Sequence, residues 1–230
     1  MLRMFDIVRK AEYFDLLSDG FADQKDHTLK GIQDGWALKQ LSGTTGKRIL
    51  EVGGGNSRVL PKLKENQLWN VEKFEGVGNG PTSAQIVDGV TVIPAFMGEF
   101  HPDIPEVDII FSISVVEHIP FPQYAAAFSD MARCLKPGGT MYHAVDLPLA
   151  DEPLPVAKQR IQLLLDTVTD NNLTWRVPPA IAPDLTFSCD MATNSDLTMW
   201  IWSRISEASR ASGPTVQIVT IKMIADKPLN

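Results

Sequence analysis

Glu51 is the single acid in an apolar run, Ile49–Val52, that breaks into three successive glycines, Gly53, Gly54 and Gly55. A turn of this kind lets a ligand lie against bare main chain, because glycine has no Cβ and tolerates positive φ. Asn56 and Ser57 follow, both good helix N-caps, ahead of an amphipathic run from Arg58 to Leu63. The spacing predicts a buried strand, a tight turn and a helix whose first N–H groups lack partners. That arrangement suits a nucleoside-like or anionic small molecule at the carboxyl end of a parallel strand. Glu72 stands about twenty residues beyond the turn, where a carboxylate can accept hydrogen bonds from both hydroxyls of a ribose. The alternative for Glu72 is a solvated acid.

Other reactive side chains gather after two later apolar runs. Glu117 and His118 follow Val107–Ser114, His143 lies inside Thr140–Val145, and Asp146 sits just past it. These are the candidates for a general base, with Glu117 read as structural or near a cofactor instead. An imidazole with a pKa near 6.5 suits that role at neutral pH, which favours His118. The alternative for His118 is a loop cap packed beside a cofactor. A regular strand sends His143 and Asp146 to opposite faces, so a His–Asp dyad requires a bend between them.

Strands that could position these residues are predicted over about 47–52, 68–74, 90–95, 107–114 and 140–145, with late strands at 185–189 and 216–225. Val107–Ser114 is apolar almost throughout, as in a strand buried on both faces. Helical spacing appears over 2–18, 28–41, 123–134, 156–170 and 196–211, with Gly31 and Gly35 weakening the second of these. Leu147–Pro155, with its three prolines, reads as loop. The alternation of strand and helix makes a parallel sheet with right-handed crossovers the economical topology, closed by an antiparallel terminal hairpin. The first 46 residues form a helical lid over the strand ends or packing helices on one sheet face. Residues 47–230 form the main domain, with an irregular segment at about 147–192 that shapes a substrate pocket.

A chain of 230 residues with 44% apolar and 21% charged content has the makeup of one α/β domain. Its net charge of −7 and lack of basic runs make nucleic acid an unlikely partner. Cys134 and Cys189 fall in no metal-ligand or disulfide spacing, so no metal is expected and both are read as buried thiols of a cytoplasmic protein. The N-terminal stretch carries charges throughout and reads as neither a signal peptide nor a membrane span. Trp200 and Trp202 read as core, with the lining of an acceptor pocket the alternative.

Three segments together resemble class I S-adenosylmethionine-dependent methyltransferases of the small-molecule type. ILEVGGGNS (49–57) resembles their first motif, E/D-x-G-x-G. VDIIFSISVVEHIP (107–120) resembles their fourth-strand segment, and CLKPGGTMYHAV (134–145) the approach to their fifth. The resemblance covers roughly residues 47–146 and implies a Rossmann-like α/β fold. That fold is a seven-stranded, mostly parallel sheet with its last strand antiparallel and helices on both faces. S-adenosyl-L-methionine is the implied cofactor, and a small-molecule or sugar-like compound the implied acceptor. By the same resemblance, Glu51, Gly53, Gly54 and Gly55 shape the pocket for the methionine part, and Glu72 holds the ribose. Glu99 lies near the adenine amine with Phe100 beside it, and Ser114 lies close to the sulfonium. This sequence has Gly-Glu-Phe where the family commonly has Gly-Asp-Ala. No family rule names a catalytic base here. Two rival readings are a non-catalytic binding module of the same fold and a nicotinamide oxidoreductase. The latter's G-x-G-x-x-G fingerprint fails at Arg58.

Overall fold

The computed structural model describes residues 10–26, 29–76, 80–84, 87–150, 155–176 and 216–229. The expected strand at 185–189, the helix at 196–211, residues 2–9 of the first helix, Cys189, Trp200, Trp202 and most of the expected pocket segment lie outside the described residues.

Seven strands form one sheet: β1 Arg48–Val52, β2 Gln67–Val71, β3 Val90–Ile93, β4 Val107–Ile113, β5 Leu135–Ala150, β6 Thr174–Trp175 and β7 Val216–Asp226. Their spatial order is β3-β2-β1-β4-β5-β7-β6. Neighbours from β3 across to β5 are parallel, and β7 runs antiparallel to both β5 and β6. The order reverses between β1 and β4, which in an open α/β sheet places the ligand crevice at the carboxyl ends of these strands.

Alternation along the central strands feeds two cores. Ile49, Ile109, Phe111, Ile113, Tyr142 and Ala144 face α1 (Lys10–Ser18) and α2 (Leu29–Leu41). Leu50, Val52, Ile110, Met141 and Val145 face α3 (Tyr124–Cys134) and α4 (Pro155–Asp170). This is the period-two division expected of strands covered on both sides. Within α2, Gly31 lets the helix pass close to the chain before it: an added Cβ would meet the Asp26 main-chain oxygen and side chain.

Three elements differ from the sequence expectation. The run from Arg58 to Leu63 is a single 3-10 turn, Leu60–Lys62, rather than a crossover helix. Pro61 has no N–H and fixed φ, and Ser57 Oγ accepts from the N–H groups of Val59 and Leu60 at 3.2 and 3.0 Å, closing the turn locally. β2 stops at Val71 because Glu72 turns back to accept from Phe74 N–H at 2.9 Å, with Phe74 at φ 57°. β5 does not yield to loop after Val145 but runs on to Ala150, paired with β7 from Asp146↔Thr220 to Ala150↔Val216. Pro148 is tolerated there because β4 pairs only as far as Ala144, which leaves that flank of β5 an edge.

Candidate active site

β1 delivers Glu51, Gly53, Gly54 and Gly55 to the crevice together. Gly53 has φ 64° and donates its N–H to Val71 O at 2.8 Å, tying the turn to the end of β2. The space that a Cβ would occupy at Gly53 is filled by Val115, whose Cγ1 would lie 2.5 Å away, and Pro81 occupies the corresponding space at Gly55. The room left by the missing Cβ atoms is thus used by the protein's own side chains. The three glycines stay partly exposed, so their main chain remains reachable.

A residue that sequence reading passed over fixes this turn. Asn70, next to last in β2 and 3% exposed, accepts from Gly54 N–H at 3.2 Å and donates to Gly55 O at 2.9 Å. Its one signal in the sequence was an amide inside an apolar strand, and a buried amide requires partners. Asn70 takes over the anchoring that a helix N-terminus would have offered.

Glu51 is 3% exposed, and its Oε2 is buried without a hydrogen-bond partner. Burial raises its carboxyl to about 7, against a hydrogen bond from Ser57, and the charge of Asp34 adds to the rise. Asp34 and Lys30 come from α2, and Asp34 is bridged to Arg58 Nε at 2.5 Å. An unpartnered carboxylate oxygen beside a turn without side chains fits the ammonium group and main chain of an amino-acid moiety.

Glu72 lies at the end of β2, beside the turn, half-buried. Glu99 is exposed on the loop after β3 and bonded to Lys73 Nζ at 2.9 Å and to Phe96 N–H at 3.2 Å. Phe100 is 47% exposed, with the Arg133 guanidinium 6.0 Å from its ring. The first residues past β3 are instead Pro94, Ala95 and Phe96, and the Phe96 ring lies 5.0 Å from Lys73 Nζ.

At the carboxyl ends of β4 and β5 a second buried amide organises the site. Ser114, at φ 51°, donates to Gln33 Oε1 at 2.7 Å. Gln33 Nε2 donates to Asp146 Oδ1 and to Thr220 Oγ1, both at 2.6 Å, and Thr220 Oγ1 donates to Asp146 Oδ1 at 3.1 Å. Gln33 is 1% exposed on the buried side of α2, so it links α2 to β4, β5 and β7. Glu117 follows in a short turn, Val116–His118, its side chain 7% exposed and both carboxylate oxygens buried without partners. Burial raises its carboxyl to about 8 and the charge of Asp146 adds to this, against the opposing pull of the main-chain N–H groups of Glu117 and Asp146.

The three residues expected to be catalytic are not brought together. His118 is an exposed side chain whose Nε2 stands 4.0 Å from Glu117 Oε1. Asp146 joins the Gln33 network on the α2 side of the sheet. His143 lies on the other side, fully buried, bonded to Ser112 Oγ at 2.7 Å and edge-on to Phe128. Burial lowers its pKa to about 4. The strand is regular between His143 and Asp146, so the opposed orientation holds and no dyad forms.

Residues 32–178 match the family model described as a methyltransferase domain. Solved structures share the fold. An S-adenosylmethionine-dependent methyltransferase from Mesorhizobium loti is 15% identical, with a TM-score of 0.52 over 86% of this chain and 100% of its own. The cyclopropane synthase MmaA2 from Mycobacterium tuberculosis is 14% identical, with a TM-score of 0.55 over 89% of this chain and 87% of its own. The N-methyltransferase NodS from Bradyrhizobium japonicum, solved with S-adenosylhomocysteine, is 14% identical at a TM-score of 0.50, over 94% and 98%. No curated protein matches the chain. The chain belongs to the methyltransferase-domain family, in its class I S-adenosylmethionine-dependent form. Among the described residues, no helix is long and apolar enough to cross a membrane, and no three His, Cys, Asp or Glu side chains group closely enough to hold a metal ion.

Proposed function

We propose that this enzyme transfers the methyl group of S-adenosyl-L-methionine to a small-molecule acceptor, sugar-like compounds included. The observation that carries the reading is the unpartnered, buried Glu51 Oε2 beside a glycine turn that Asn70 pins from the neighbouring strand. When bound, the cofactor supplies a sulfonium methyl with a good leaving group. Glu51 and Gly53–Gly55 would hold its methionine part, Glu72 the ribose hydroxyls and Ser114 the region of the sulfur, with Glu99 and Phe100 on the adenine side. The protein's share is mainly alignment, which is worth on the order of 7–11 kcal/mol in the best intramolecular cases.

A small acceptor is supported by the net charge of −7, which disfavours a polyanion. Lys30, Gln33 and Asp34 project from α2 toward this end of the sheet, which supports a covering role for the N-terminal segment. The acceptor pocket would be completed by the segment at about 147–192. Of the expected bases, His118 and Asp146 stay near the mouth, whereas His143 is sealed in the core and is left out of the reading. Calorimetry with S-adenosylmethionine, S-adenosylhomocysteine and NADH tests it. Binding of the two sulfur nucleosides and not of NADH is expected; NADH binding alone would overturn it. Nucleoside binding with no transfer to any acceptor would favour a binding module.

A further inference from the structure

Among the described residues, Glu117 alone has every polar side-chain atom buried and unpartnered. A buried group left in this state calls for an explanation, and a catalytic or binding role is one of the few that folds offer. The nearby side-chain donors are committed elsewhere, and the main-chain N–H groups of Glu117 and Asp146 only partly offset the effect of burial on the carboxyl. Gln33 gives its amide hydrogens to Asp146 and Thr220, and Ser114 gives its hydroxyl hydrogen to Gln33. Arg160, from α4, donates Nη2 to the Glu117 main-chain carbonyl at 2.8 Å and lies 5.6 Å from the Phe121 ring. Its charge opposes the rise in the Glu117 pKa more weakly than Asp146 drives it. His118 Nε2, at 4.0 Å, is beyond hydrogen-bond reach.

A ligand donor can supply the side-chain partner that the fold does not. Asp146 adds a second negative charge, so a cationic donor relieves more repulsion than a hydroxyl. The absence of a third ligating side chain among the described residues argues against a metal ion. We propose that Glu117, with Asp146 beside it, seats a protonated amine on the methyl acceptor and takes that amine's proton. This rests on the reading of the strand ends as the methyl-transfer site. In the proton step an N–H bond breaks and an O–H bond forms on Glu117, while the electron pair stays on nitrogen. Only the neutral amine has that pair available for a new N–C bond. A carboxyl held up at about 8 narrows the gap to an ordinary alkylamine, near 10.4.

The test is calorimetry on the full chain saturated with S-adenosylhomocysteine, using matched probes: benzylamine and benzyl alcohol, cyclohexylamine and cyclohexanol, and phenethylamine and phenethyl alcohol. At least one amine should bind about tenfold or more tightly than its alcohol, and Glu117→Gln should remove that preference with S-adenosylhomocysteine affinity unchanged. In the parent protein, amine affinity should rise as pH climbs toward 8, by up to about tenfold per unit, as Glu117 ionises. This second readout does not depend on the variant folding. No amine binding, equal binding of alcohols, a flat pH profile or an unaltered Glu117→Gln variant would each overturn the assignment. Failure of S-adenosylhomocysteine itself to bind would overturn the reading beneath it as well.

Discussion

At the carboxyl ends of β1 and β2, the site is made of main chain. Gly53–Gly55 present peptide edges, and Asn70 holds two of them by its amide. At the carboxyl ends of β4 and β5, the site is made of side chains. Ser114, Gln33, Asp146 and Thr220 form one network, and Glu117 is buried beside it with no side chain to bond. The first region is defined by geometry and tolerates little substitution. The second is defined by charge and responds to pH. A nucleoside common to a family suits the first design, and an acceptor that varies among members suits the second.

Gly53→Val should break the first region most severely. Its Cβ would lie 2.5 Å from Val115 Cγ1 in a backbone at φ 64°. The left-handed conformation costs roughly 1–2 kcal/mol and overpacking about 1–3 more. Loss of S-adenosylhomocysteine binding by calorimetry is expected, with a lower Tm; unchanged affinity would mean the ligand does not lie at this turn. Asn70→Leu comes next. It leaves Gly54 N–H and Gly55 C=O without partners, at about 1–3 kcal/mol each if they stay dry. Denaturant melts should show the loss together with weaker nucleoside binding. Instability with intact affinity would make Asn70 a folding residue alone.

Glu117→Gln examines the second region through stability. A carboxyl raised to about 8 keeps its proton in the fold where the unfolded chain, near 4.5, has lost it. The contribution of Glu117 to native stability is therefore complete below 4.5 and is lost as pH rises through about 8. The neutral amide removes that limb, so the variant's Tm advantage should widen across this window; a constant difference would sink the idea. His143 gives a smaller effect of opposite sign. Its pKa is lowered to about 4, so its contribution is complete above 6.5 and is lost as pH falls through about 4. His143→Gln should flatten the acid limb of the stability profile measured by melts, and an unaltered limb would show that other groups govern it.

The sheet was readable because β1, β4 and β5 carry patterns that only burial on two faces explains, and because Gly53 and Ser114 stand directly after β1 and β4. Glu51 and Ser114 could be placed from strand ends alone. The opposed faces of His143 and Asp146 followed from strand period. Asn70 and Gln33 were not visible, because an amide matters only through partners far along the chain: Gly54, Ser114, Asp146 and Thr220. The missing first helix turned on Pro61 and on Ser57 capping a shorter turn than its position suggested. The extension of β5 through Pro148 depended on where β4 happens to stop.

That extension has a further consequence. Ala150 and Val216 are partners in the ladder, so the chain between them departs from and returns to neighbouring points on one pair of strands. Both anchors are set by main-chain pairing, which makes no demand on the length of the excursion. Doubling a flexible connection costs only about 0.6 kcal/mol in closure entropy. α4 and β6 lie within that excursion and are held by the sheet, so insertions of varied length can be accepted between β6 and β7 with the strands left in place.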